Sequence, residues 1–277
     1  SKAGLLRLEH DYVHQHYELK PGQKFPSAQQ VSESFRENLD LFYGGLIAPL
    51  LNHPRFRLHV LASRGKGLLS REHTVLSPLG YGGAFLSNLM SRKAMGASLE
   101  RVVFSSAGAL PFDTQDYATR HLSLTHSNFM DVLQASCAIP FVLKAVHDIE
   151  GAPHGAYWDG GITDYHLHLD YRAQPRFVLY PHFQPQVVPG WLDKAWKRRH
   201  AATPFLERMV LLCPTPEWVA SLPNAKLPDR TDFSAYAHDV PRRIRVWQAA
   251  AGAAQQLADE FSQWLQQPDP SRVEPLT

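Results

Sequence analysis

The chain has 277 residues, 44% of them hydrophobic, which is enough for one substantial core, and 28 Lys+Arg against 26 Asp+Glu leave a net charge of only +2. This balance excludes a protein that meets nucleic acid or an acidic membrane with its whole surface; any basic footprint must be local. Cys137 and Cys213 lie far apart among apolar neighbours, which predicts buried thiols of a reducing compartment, and no zinc-ligand spacing is present.

No apolar run approaches the ~20 residues of a membrane helix, and Lys2, Arg7, Glu9 and Asp11 stand where a signal peptide would be apolar, so the chain reads as soluble and cytoplasmic. Leu5, Leu8, Tyr12 and His16 already give Ala3 to Tyr17 a helical spacing. The chain thus opens inside an element, as a piece of a longer protein would.

A polar break at Lys20 to Ser27 precedes Val31, Phe35, Leu39, Phe42, Leu46 and Leu50, whose spacing predicts one long amphipathic helix stopped by Pro54. Phe56 to Ala62 alternates as a strand, followed by a turn at Ser63 to Gly67. Residues 76–98 open on glycines and become helix-like through Phe85, Leu89 and Met90; Arg101 to Ser105 predicts a second strand. Residues 128–138 predict a helix capped by Ser127 or Asn128. Phe177 to Tyr180 and Met209 to Cys213 predict two more strands, and Ile244, Trp247, Ala251, Ala254, Leu257, Phe261, Trp264 and Leu265 a long C-terminal helix. Strands separated by helices predict a single α/β domain over 1–265 with a mainly parallel sheet, and the Gln/Pro-bearing residues 266–277 predict a disordered tail.

The chemistry concentrates at Tyr157-Trp158-Asp159-Gly160-Gly161-Ile162-Thr163-Asp164. Two glycines after an aspartate put the carboxylate on a tight turn that other backbone can approach, and the apolar Trp158 side raises its basicity by desolvation. Taken alone, Asp-Gly-Gly is a plain turn.

The succession Val102-Val103-Phe104-Ser105, then Leu133-Gln134-Ala135-Ser136-Cys137-Ala138-Ile139-Pro140, then Tyr157-Trp158-Asp159-Gly160-Gly161 resembles the C-terminal two thirds of a bacterial patatin-like phospholipase, over nearly the whole chain. The resemblance implies a three-layer α/β fold, incomplete at its N-terminal side. It also implies hydrolysis of lipid or acyl ester bonds by a Ser-Asp dyad, without metal, cofactor or nucleic-acid partner. By the same resemblance Asp159 is the catalytic base, Gly160 and Gly161 line its pocket, and Ser136 lies in a turn whose small residues let a helix end pack beside the site.

The family's nucleophile lies in a G-x-S-x-G elbow after a glycine-rich oxyanion loop, and neither motif occurs here. The nearest imitation, Phe104-Ser105-Ser106-Ala107-Gly108, has phenylalanine where the elbow needs glycine, so Ser106 is a fallback nucleophile read as structural. Gly82 and Gly83 could mimic the oxyanion loop but read as a surface loop. The chain therefore supplies the aspartate half of the dyad and is expected to be inactive alone. A noncatalytic lipid- or partner-binding module of the same fold is the alternative.

Asp164-Tyr165-His166-Leu167-His168 copies the D-x-H-x-H signature of metal-dependent amidohydrolases, and His166 and His168 would share a face if extended. That motif belongs on the first strand of a (β/α)₈ barrel of about 250 residues, whereas 107 residues follow Asp170. Histidines packing near the dyad are the favoured reading. Pro189 to His200 reads as a short basic helix; Trp191, Trp196, Lys197 and Arg198 suit peripheral contact with a lipid surface, although burial of the tryptophans is favoured.

Overall fold

The computed structural model describes residues 10–15, 23, 26–73 and 76–276. Residues 10–14 are helical and residue 15 is not; residues 3–9 and 16–17 of the helix expected over Ala3 to Tyr17, and five of the eight residues of the polar break at Lys20 to Ser27, lie outside the described residues. The chain divides into two compact units, one formed by Leu19–Val178 and Gln186–Val210, the other by Ser1–Glu18, Leu179–Pro185 and Leu211–Thr277.

In the first unit, helix α1 (Ala28–Tyr43) starts on a reciprocal cap: the Gln30 N–H donates to the Ser27 hydroxyl, and the Ser27 N–H donates to the Gln30 side chain. The single helix expected through Leu50 is broken at Gly44-Gly45, and a second short helix runs Ile47–Leu51. Pro49 explains the restart, because in the first turn of a new helix its missing N–H removes no bond.

Strands β1 (His59–Gly65), β2 (Leu99–Ser105), β3 (Thr119–Ser123), β4 (Val146–His147) and β5 (Ala156–Asp159) form one sheet in the order β3-β2-β1-β5-β4. Helices α2 (Leu76–Met90), α3 (Phe129–Ser136) and α4 (Gly161–Asp164) complete the frame. The fold is α/β, a mixed sheet flanked by helices, and not mainly parallel: β2 and β3 run parallel, whereas β1–β2, β1–β5 and β4–β5 are antiparallel. Intervening helices are a poor guide to strand direction here. The β1–β2 connection holds α2 and a short helix (Arg92–Met95) yet reverses the chain, while β2 reaches its parallel neighbour without a helix.

Alternation along the strands feeds two cores. Val60, Ala62, Val102, Phe104 and Tyr157 pack with Phe129, Val132 and Ala135 of α3, while Ala156 and Trp158 pack with Leu69, Tyr81, Ala84 and Met95. The glycines placed in a surface loop belong instead to α2, which is helical throughout. Gly80 is demanded by packing, since a Cβ there would lie 2.7 Å from Leu69 Cδ2.

The strands expected near 177 and 209 occur as β6 (Val178–Pro181) and β7 (Met209–Leu212), but they pair with each other in a separate two-stranded sheet. The second unit contains helix α5 (Val240–Gln266), capped by Asp239. In that unit the Trp247 indole donates to Asp232 Oδ2 at 2.9 Å, and Lys226 pairs with the same carboxylate at 2.8 Å. Pro270–Arg272 forms one helical turn. No described helix is long and apolar enough to cross a membrane.

Candidate functional site

β5 ends on Asp159, which pairs with Ala62 of β1. The two sequence segments that carried the chemical expectation meet here: the Asp159 N–H donates to the Ala138 carbonyl at 3.0 Å, and the Gly160 N–H to the Ser136 carbonyl at 3.4 Å. Ser136 thus contributes its backbone at the end of α3. Cys137 follows on the turn as an exposed residue, although desolvation still pushes its thiol up to about 11, and Cys213 is half-buried rather than buried as expected.

Gly160 is forced by space, because a Cβ would sit 2.4 Å from the Leu61 carbonyl oxygen. Gly161 donates its N–H to Asp159 Oδ1 at 2.6 Å, and a Cβ there would stand 2.9 Å from that oxygen. The turn continues directly into α4, where Thr163 Oγ1 donates to Gly160 O at 3.2 Å and lies 3.0 Å from the Ser63 hydroxyl on β1.

Asp159 is half-buried. Desolvation raises its carboxyl above the ordinary value, against the lowering effects of the Gly161 N–H and the Lys194 charge. Behind it, Tyr81 meets Trp158 and Phe141 edge-on, with centroids 6.0 Å apart in each pair. The Tyr81 hydroxyl and Trp158 Nε1 are buried donors without a hydrogen-bond partner. Burial, then the Glu72 and Asp159 charges, holds the Tyr81 phenol far above its ordinary value. The carboxylate is therefore basic, reachable from one side and apolar on the other, which are the attributes of a general base.

The same segment is anchored from below. Asp164 accepts from Arg101 Nε at 2.7 Å and Nη2 at 2.5 Å, both side chains being completely buried, and Arg101 also reaches Asp116 at 2.9 and 3.0 Å. Arg92 lies 3.7 Å from Asp164 and donates to Asp193 at 3.0 Å. Sequence reasoning missed Arg101, which sits in an apolar strand run; a charge inside such a run, with a carboxylate elsewhere to meet it, was the available signal.

Ser106 is not brought to Asp159. Its hydroxyl accepts from the Leu58 N–H at 3.0 Å. Leu58 lies four residues along the β1 strand from Ala62, the partner of Asp159, an offset of about 13 Å along the strand direction. A different serine makes a base-like contact: Ser105 Oγ lies 2.7 Å from His59 Nδ1. Ser105 is buried, however, and among the described residues no carboxylate is bonded to His59, whose ring is pushed down by burial and then by His121.

His166 and His168 do not share a strand face, because Leu167 between them takes a left-handed conformation (φ 49°). His166 Nδ1 faces the Gln186 carbonyl and the Val188 N–H, and His168 Nε2 meets the Thr203 hydroxyl at 3.0 Å. Among the described residues no three His, Cys, Asp or Glu side chains converge as metal ligands. The expected basic helix near 191–199 is two separate 3-10 turns, Trp191–Asp193 and Lys197–Arg199, folded around the buried Asp193. Comparison with protein-family models, with curated proteins and with solved structures returned no match.

Proposed function

We propose that this chain is the aspartate-bearing part of a patatin-like acyl hydrolase that cleaves lipid or acyl esters, with Asp159 as the base. The supporting observation is the half-buried Asp159 carboxylate, raised above its ordinary value and set on a Gly-Gly turn that hydrogen-bonds the Ala135–Pro140 segment. A basic carboxylate there can take the proton of a serine hydroxyl as it attacks the ester carbonyl, and can later activate the water that hydrolyses the acyl-enzyme. The serine comes from chain outside these 277 residues, since no G-x-S-x-G occurs among them.

The 277-residue chain is therefore expected to leave p-nitrophenyl butyrate untouched. The codons upstream of Ser1 should encode a glycine-rich loop followed by G-x-S-x-G, and Asp159→Asn in that longer product should cost about 10²–10⁴-fold in turnover. An initiation codon directly before Ser1 would defeat the proposal. Turnover by the present chain would do the same, and its loss on His59→Ala would transfer the chemistry to the Ser105–His59 pair.

A further inference from the structure

Helix α2 presents its two faces the wrong way round for a helix in water. Ser77, Gly80, Tyr81, Ala84 and Asn88 face the protein, whereas Leu79, the adjacent Gly82 and Gly83, Leu86 and Met90 lie along the opposite side. The three large side chains of that stripe, Leu79, Leu86 and Met90, are 62, 63 and 85% exposed. α2 carries no charged residue at all, and no acidic residue occurs between His73 and Leu99. Phe141, which meets Tyr81 edge-on, and its neighbour Val142 are exposed as well. An exposed apolar helix face of this kind marks an interaction site.

The C-terminal end of the stripe is fastened to a basic rim. Arg199 donates to the Asn88 carbonyl at 2.6 Å and to Asp193 Oδ1 at 2.7 Å, and Asn88 Nδ2 donates to the same oxygen at 2.7 Å. Asp193 is buried and balanced by Arg92 and Arg199, which leaves Lys93, Lys197 and Arg198 as exposed cations around that end of the helix.

We propose that the α2 stripe and this rim dock onto a phospholipid bilayer carrying anionic headgroups, with Leu79, Leu86 and Met90 entering the acyl boundary and the cations lying at headgroup level. Charge complementarity selects this occupant: a second copy of the chain would set cations against cations, and a purely apolar partner would leave the rim unused. The proposal rests on the hydrolase reading for why lipid is sought, and it names the physical form of that substrate. It does not involve Asp159.

Cosedimentation with phosphatidylcholine vesicles, and with phosphatidylcholine/phosphatidylglycerol vesicles, tests it on the full chain. The wild type should pellet with the mixed vesicles. Leu79→Gln/Leu86→Gln should weaken binding at least about tenfold, and Lys197→Gln/Arg198→Gln should weaken it roughly fivefold per cation with loss of salt dependence. These positions are exposed, so melting temperatures should stay at the wild-type value. Asp159→Asn should bind as wild type, which separates failure of this surface from failure of the dyad reading. The proposal is overturned if the wild type stays in the supernatant with both vesicles, or if Leu79→Gln/Leu86→Gln binds as tightly as the wild type. A wild-type dimer that this variant converts to a monomer, without vesicle binding, would overturn it in favour of a second copy on the stripe.

Discussion

Asp159 and Asp164 stand at the two ends of one short segment, and their surroundings are opposite. Asp164 is sealed in the interior and matched by the Arg101 guanidinium. Asp159 is half-buried, has one backbone N–H on its carboxylate and feels Lys194 only at a distance, so desolvation prevails and its carboxyl is raised. A carboxylate satisfied on all sides holds a fold together and has no free basicity to offer. One left short of partners costs stability and keeps that basicity available. The contrast makes Asp164 the anchor and leaves Asp159 as the carboxylate with basicity to offer.

The largest effect expected from disturbing this contrast is on the anchoring side. Arg101→Met leaves the buried Asp164 without its hydrogen-bonded partner, with only Arg92 3.7 Å away, and should destabilise the protein by about 3–5 kcal/mol, read as a lowered urea midpoint. Adding Asp164→Asn should recover part of the loss, because the stranded charge is then gone. A loss under about 1 kcal/mol for Arg101→Met would show that the cluster does not hold the segment.

Next in size is the turn between the two carboxylates. Gly160→Ala sets a methyl against the Leu61 carbonyl, which is backbone and cannot swing aside, so a cost of roughly 1–3 kcal/mol is expected. Gly161→Ala meets a side chain instead, Asp159 Oδ1, and should cost less while displacing the carboxylate. Equal melting temperatures for the two variants would contradict this ranking.

How far this contrast was legible in the sequence depends on whether the signal was local. The Asp-Gly-Gly turn was visible because glycine reports a local crowding problem, and helices α3 and α5 because their periodicity is local too. β5, the strand that delivers Asp159, was invisible as a strand: it has four residues, too few for an alternation to register. The mixed sheet was out of reach for a different reason, since strand direction is settled by pairing between distant segments. The α2 glycines misled because glycine serves close packing as readily as turns, and only the position of Leu69 distinguishes the two. The Arg101–Asp164 pair joins residues 63 apart, and no spacing rule connects them.

The smallest expected effect separates the two carboxylates most directly. Because the folded-state value of Asp159 lies above its ordinary 3.8, the ionised carboxylate is less favourable in the folded protein than in the unfolded chain. That cost is fully present above the folded value, shrinks as the pH falls through it, and disappears below the ordinary value. Asp159→Asn removes the charge while retaining an oxygen to accept the Gly161 N–H. It should therefore raise the melting temperature at neutral pH, by an amount equivalent to less than about 1 kcal/mol, with the gain fading towards pH 4. Thermal melts of wild type and variant across that range provide the measurement. A variant less stable than wild type at neutral pH would mean that the charge of Asp159 is as well matched as that of Asp164, and the division of labour between the two carboxylates would fall.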